Sequence, residues 1–231
     1  MKNNYTELEE RLGYKFKDRQ HLDTAFTHRS YVNEAHHSVE SYERYEFLGD
    51  AILEYIVSKN IFASYPEKSE GELTKLRASL VCEYTLSQIS RQLDFGKYLY
   101  LSHGENLTGG RDRSSILCDL FESVLGAIFL DSGIDEAEKY VERFLLTDIE
   151  SKSLFYDAKS ILQEYTQSKG SVLTYILKSE DGPEHNKSFT YQVKIDDDLY
   201  EIGVGNSKKT AEQIAAHKTL ILLNKRGMIC I

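Results

Sequence analysis

SSILCDLFESVLGAIFL, residues 114–130, is the stretch that decides the fold class. Ile116, Leu117, Leu120, Phe121, Val124, Leu125, Ile128 and Phe129 recur at helical spacing and cover almost the whole circumference. A helix that is apolar nearly all round belongs at the centre of a bundle, not on its surface. Gly109-Gly110 before it and Gly133 after it mark its ends. Outward from this segment, residues 7–148 keep apolar side chains every three or four positions, and Pro66 is the one proline that interrupts them. The pattern predicts an all-α bundle over residues 1–150. A second long helix is expected over 42–62, with Tyr45, Leu48, Ile52, Tyr55 and Ile56 as its apolar stripe.

Residues 149–156 lose this periodicity and carry serines and lysines, which predicts an exposed connection and a domain boundary. Beyond it the period changes. Residues 158–168 read as a helix, 172–177, 188–195 and 199–204 as strands with a turn at Asp196-Asp197-Asp198, and 207–224 as a closing helix. The order α-β-β-β-α over 157–226 is that of a small α+β domain, one sheet backed by two helices.

The composition is that of an ordinary folded chain, 41% apolar and 28% charged over 231 residues. No run of eighteen apolar residues occurs, so neither a membrane span nor a secretory leader is expected. Cys82, Cys118 and Cys230 form no CxxC pair and leave one thiol over, which points to a reducing compartment, by default the cytoplasm. The net charge of -9 is unevenly spread. Residues 157–226 hold 10 basic against 10 acidic side chains, so all the excess acid lies in the first domain. A nucleic acid would be repelled there unless cations intervene.

Part of that acid is placed to hold cations. Glu46 and Asp50 are four apart on the long helix, and Asp119 and Glu122 are three apart on the apolar one, so each pair shares a face. Carboxylates in an apolar helix are costly without a partner. Two such pairs meeting from two helices would suit a hard divalent cation such as Mg²⁺, and with it hydrolysis of a phosphodiester by metal-activated water. Acidic pairs at this spacing are common, so spacing alone leaves a solvated face as the alternative, above all for Glu46 and Asp50.

The surrounding wording removes most of that ambiguity. Residues 43–51, ERYEFLGDA, closely resemble the ribonuclease III signature ERLEFLGDS, departing from it at Tyr45 and Ala51. The resemblance extends through THRSY (27–31), SEGEL (69–73), RASLV (77–81), Gly109-Gly110-Arg111, SILCDLFE (115–122), Gly126-Ala127-Ile128 and LDSG (130–133). It implies an endonuclease specific for double-stranded RNA, with Glu46, Asp50, Asp119 and Glu122 as metal ligands and catalytic acids. Mg²⁺ would be the cofactor, with Mn²⁺ as a substitute. Glu43 and Glu70 match two auxiliary acidic positions, although Glu72 competes with Glu70 for the second. Phe47 matches a dimer-interface position, plain core being its other reading, and His28 reads as a hydrogen-bonding residue more than a ligand. A homodimer is implied, with one strand of the duplex cut by each protomer to leave 5′-phosphate and 3′-hydroxyl ends and short 3′ overhangs. Processing of ribosomal RNA precursors and structured messengers is the implied role.

Residues 157–226 resemble a double-stranded-RNA-binding domain along their whole length. Ser160, Gln163 and Glu164 match its first contact helix, Gly182-Pro183-Glu184-His185 its loop, with Pro183 and His185 as contacts, and Lys208 and Lys209 its phosphate-facing helix start. Two departures stand out: the domain has no net positive charge, and SVLT (171–174) replaces the usual proline-rich approach to Tyr175. The competing reading is a dimeric double-stranded-RNA-binding protein without catalysis, for which at least one of the four acids should be missing. All four are present.

Overall fold

A computed structural model describes residues 4–34, 39–182 and 187–229. The chain forms two compact units, Met1–Ile149 and Glu150–Ile231. In the first, α1 (Thr6–Leu12), α2 (Gln20–Ala25), α3 (Arg29–Glu34), α4 (Glu43–Ser64), α5 (Glu70–Leu80), α6 (Glu83–Gln92), α7 (Phe95–Tyr98), α8 (His103–Leu107), α9 (Ser114–Ser132) and α10 (Ile134–Phe144) surround a single apolar core. The expectation of an all-helical bundle centred on residues 114–130 holds. Leu117, Leu120, Phe121, Val124, Leu125, Ala127 and Ile128 of α9 are essentially inaccessible, with α2, α4, α6 and α10 packed around them.

The long helix α4 lies against α9, and two glycines set how closely. A Cβ on Gly49 would stand 1.9 Å from the backbone oxygen of Glu122, and one on Gly126 would stand 2.3 Å from that of Tyr45. Main chain therefore meets main chain at the crossing, the closest approach two helices can make. Glycine costs about 1 kcal/mol in a helix interior relative to alanine; contact between the helices offsets that here. The buried face of α4 is Ile52, Leu53, Ile56, Val57 and Ile61. Tyr55, expected on that stripe, is instead 56% exposed, on the outer side with Phe47 and Phe62. Its position is three beyond Ile52 and one before Ile56, so periodicity alone could not exclude it from the buried arc.

In the second unit, α11 (Ile149–Ser168) precedes strands β1 (Leu173–Asp181), β2 (Ser188–Ile195) and β3 (Asp198–Gly205) and the closing helix α12 (Lys208–Lys225). The sheet is antiparallel in the order β1-β2-β3, running from Leu173↔Ile195 to Asp181↔Ser188, with a bulge between Leu177 and Ser179, and from Phe189↔Gly205 to Ile195↔Asp198. Val193 and Ile195 face Ala158 and Leu162 of α11 and Ala215, Ala216, Leu220 and Leu223 of α12 across the core. Residues 149–156, expected as an exposed connection, are helical instead. Phe155 is buried with its ring 5.3 Å from that of His217, and its carbonyl accepts from Gln213 Nε2 at 2.6 Å. These contacts to α12 continue the helix backward through a serine- and lysine-rich stretch of weak apolar periodicity. Gly203 and Gly205 let β3 lie directly on the start of α12, since a Cβ at Gly203 would meet Ala211 O at 2.1 Å.

Candidate active site

The crossing of α4 and α9 brings the two acid pairs together. Glu46 is half-buried and Asp50 exposed on α4, while Asp119 and Glu122 are half-buried on α9. Burial, then the charges of Asp119, Glu43 and Asp50, push the Glu46 carboxyl up to about 7. Burial, then Asp50, Asp119 and Glu46, push Glu122 up to about 8. Glu46 thus feels Asp119 across the crossing and Glu122 feels both Asp50 and Glu46, and the largest influences on either are burial and other carboxylates. Asp119 is raised too, chiefly by burial, with the hydrogen bond from Tyr42 opposing the shift.

The ligand-capable atoms of Asp119 and Glu122 lie within 4.8 Å of one another and of the Cys118 thiol. Glu46 and Asp50 are outside that tight group. Cys118, read in the sequence only as one of three cysteines without a CxxC pair, is not among the residues expected at the site; burial, then the charges of Glu122 and Asp119, hold its thiol far above the ordinary thiol range. A protonated thiol is a poor ligand for a hard cation, so the donor set is one of carboxylate oxygens.

Beside this group opens a cavity of about 440 Å³ lined by His28, Arg29, Ser30, Tyr42, Glu43, Glu46 and Asp119, among others. Glu43, on the first turn of α4, accepts from Ser41 Oγ at 3.0 Å and pairs loosely with Arg29 at 3.5 Å. His28 Nδ1 accepts from the backbone N–H of Ser30 at 3.1 Å, and its ring sits 5.7 Å from that of Tyr42. Burial lowers its pKa. Its place is the cavity wall, in keeping with a hydrogen-bonding role. Tyr42, which the sequence reading passed over, is buried and donates from Oη to Asp119 Oδ2 at 3.0 Å.

Glu70 is exposed on the first turn of α5, accepts from Thr74 Oγ1 at 3.1 Å, and has no described contact with the four acids. Glu72, its rival, is committed elsewhere: it closes a capping box with Ser69. Phe47 is 80% exposed on α4.

In the second unit, Ser160, Gln163 and Glu164 are exposed on α11, and Lys208 and Lys209 are exposed on the first turn of α12 behind the Ser207 cap. Pro183 and His185 lie outside the described residues. Glu212, buried one turn into α12, is bound by Lys159 at 2.5 Å and approached by Lys208 at 3.8 Å.

The class of protein these two units define is a helical nuclease carrying a duplex-RNA-binding module. Residues 18–149 match the family model described as Ribonuclease-III-like, and residues 158–223 match that of the double-stranded RNA binding motif. The chain is 44% identical over 219 residues to Ribonuclease 3 of Enterococcus faecalis, covering 93% of this chain and 95% of the relative. To that of Shouchella clausii it is 42% identical over 230 residues, 97% and 88% of the two chains. Among solved structures, the nuclease domain of ribonuclease III from Campylobacter jejuni superposes with a TM-score of 0.58 at 37% identity, over 62% of this chain and 96% of that one. The chain belongs to the ribonuclease III family, endoribonucleases of double-stranded RNA.

Proposed function

We propose that the chain hydrolyses phosphodiester bonds of duplex RNA at Glu46, Asp50, Asp119 and Glu122, with Mg²⁺ held by these carboxylates. The observation that carries the reading is the glycine crossing, which sets two acid pairs against each other with no ion pair to any of the four among the described residues. An oxygen-only donor set, with Glu46, Asp119 and Glu122 raised by burial and by neighbouring carboxylates, fits a hard divalent ion, and Mn²⁺ fits the same donors. Such an ion supplies the Lewis acidity that phosphodiester hydrolysis needs. The chain's own part is to hold the acids in register, and the bound cation would keep them ionised against burial. It also offers the cavity wall of His28, Ser30 and Tyr42 beside the strand to be cut.

The exposed Phe47, on the same helix as Glu46 and Asp50, supports a homodimer in which a second copy covers it. The related Campylobacter jejuni nuclease domain is described with a region involved in dimer formation. Two sites related by a two-fold axis would address the two antiparallel strands of one duplex, leaving 5′-phosphate and 3′-hydroxyl ends with short 3′ overhangs. The second unit supplies affinity for A-form shape through α11 and the start of α12. Ribosomal RNA precursors and structured messengers are the substrates this reading favours, and the cytoplasm its compartment; among the described residues no helix is long and apolar enough to cross a membrane.

The test is incubation of the full chain with a long RNA duplex, with and without Mg²⁺, beside single-stranded RNA and duplex DNA. Cleavage confined to duplex RNA with Mg²⁺ is expected. Cleavage in excess chelator, or none with either Mg²⁺ or Mn²⁺, would overturn the reading.

A further inference from the structure

Asp119 is the one member of the acid group that has a side-chain donor described on it, the hydroxyl of Tyr42 at 3.0 Å. That hydroxyl is held on a firm base. Tyr42 is 3% exposed and stands immediately before α4. Its backbone N–H donates to Thr27 O at 2.9 Å, and its ring rests against that of His28. His28 is in turn fixed by the backbone N–H of Ser30, whose hydroxyl accepts from Ser102 N–H at 3.1 Å. A chain of contacts therefore runs from α8, through the start of α3, to the first residue before α4, and ends on a carboxylate of α9.

A carboxylate on a helix turns about its last torsion over a broad range unless a partner fixes its plane. The phenol fixes it here by occupying Oδ2. The other oxygen, Oδ1, is left to ligate beside Glu122. Groups that orient metal ligands in this way are worth about 10- to 100-fold in metal affinity.

We infer that Tyr42 is a positioning residue for the metal site: its hydroxyl orients Asp119 so that one carboxylate oxygen faces the cation shared with Glu122. This rests on the reading of the four acids as a cation site, and the experiment separates the two. Mn²⁺ binding is measured by electron paramagnetic resonance on the full chain without RNA, for wild type, Tyr42→Phe, Asp119→Asn and the double variant. Tyr45→Phe, which loses an α4 hydroxyl that meets His21 of α2, is the control. Tyr42→Phe should weaken Mn²⁺ binding about tenfold, Tyr45→Phe should leave it within about twofold, and Tyr42→Phe should add nothing in the Asp119→Asn background. Cleavage by Tyr42→Phe should recover as Mg²⁺ is raised, with kcat near wild type at saturation. Tyr42→His, which keeps a ring and a donor, should bind Mn²⁺ more tightly than Tyr42→Phe and gives the same comparison should the phenylalanine variant fail to fold. Wild-type affinity in Tyr42→Phe, or an equal further loss in the Asp119→Asn background, would overturn the inference while leaving the site reading intact. Absence of Mn²⁺ binding by the wild type would instead remove the site reading itself.

Discussion

Two glutamates, Glu122 in α9 and Glu212 in α12, are both withdrawn from solvent, and the chain treats them in opposite ways. Glu212 is given cations of its own, Lys159 at 2.5 Å and Lys208 at 3.8 Å. Glu122 is given carboxylates, Asp119, Asp50 and Glu46, and its pKa rises to about 8. A fold that can place a lysine beside one buried acid could place one beside another. Where the partner is withheld, a cation from outside the chain, as proposed above, would supply the neutralising charge. On the proposed reading, the difference separates a structural acid from a functional one.

The comparison breaks most visibly in activity. Glu122→Ala should lower duplex cleavage by about a thousandfold, the scale of several kcal/mol of lost metal stabilisation, while gel-shift affinity for duplex RNA stays within a few fold. Loss of both together would mark a folding defect. Gly49→Ala tests how the acids come to share a site. A methyl group 1.9 Å from Glu122 O must part the helices, at a cost of about 1–3 kcal/mol. Melting curves should show the loss, and Mg²⁺ titrations of cleavage should show a raised requirement.

Stability sharpens the contrast by sign. The folded value of Glu122 is raised above its ordinary 4.5 to about 8. Ionisation therefore opposes folding: the cost is absent below about pH 4.5, grows as pH rises, and is complete above about 8. Glu122→Gln should stabilise the metal-free protein at pH 8, by on the order of 1 kcal/mol for a half-buried group, and the gain should vanish at pH 4. Glu212→Gln should destabilise by about 1 kcal/mol at pH 8 through loss of its lysines. Thermal melts in chelator check both; shifts of the same sign would dissolve the distinction. The smallest effect concerns the second unit's exposed charge. Removing Lys208 and Lys209 together should reduce the salt dependence of duplex binding by about two phosphate contacts, measured as the slope of log affinity against log salt.

Much of this was legible beforehand, for reasons that differ by element. Helix α9 announces itself because a helix apolar all round has one possible place. The acids on it stand out because that place is hostile to them. The strands of the second unit, separated by turn residues, were found to within a few positions, β1 running past its expected end through a bulge. What escaped were features that depend on partners distant in sequence. Tyr42 is one of sixteen tyrosines, and nothing local distinguishes the one whose hydroxyl meets an acid 77 residues away. Residues 149–156 are helical because α12 receives Phe155, a contact that periodicity does not record. Gly49 and Gly126 could be read as part of a signature, yet their purpose lies in the other helix's backbone. Cys118 was invisible for the same reason, being defined by its neighbours in space.

Backbone contact at the α4–α9 crossing also has a bearing on how this site can change over time. Side-chain packing admits a graded series of variants, each shifting a spacing by a fraction of an ångström. At Gly49 and Gly126 the series has no intermediate steps, because a single methyl is the smallest available increment and it already overlaps the facing carbonyl oxygen. The distance between the acid pairs is thus inherited all or none, and drift elsewhere in the core has no gentle route by which to retune it.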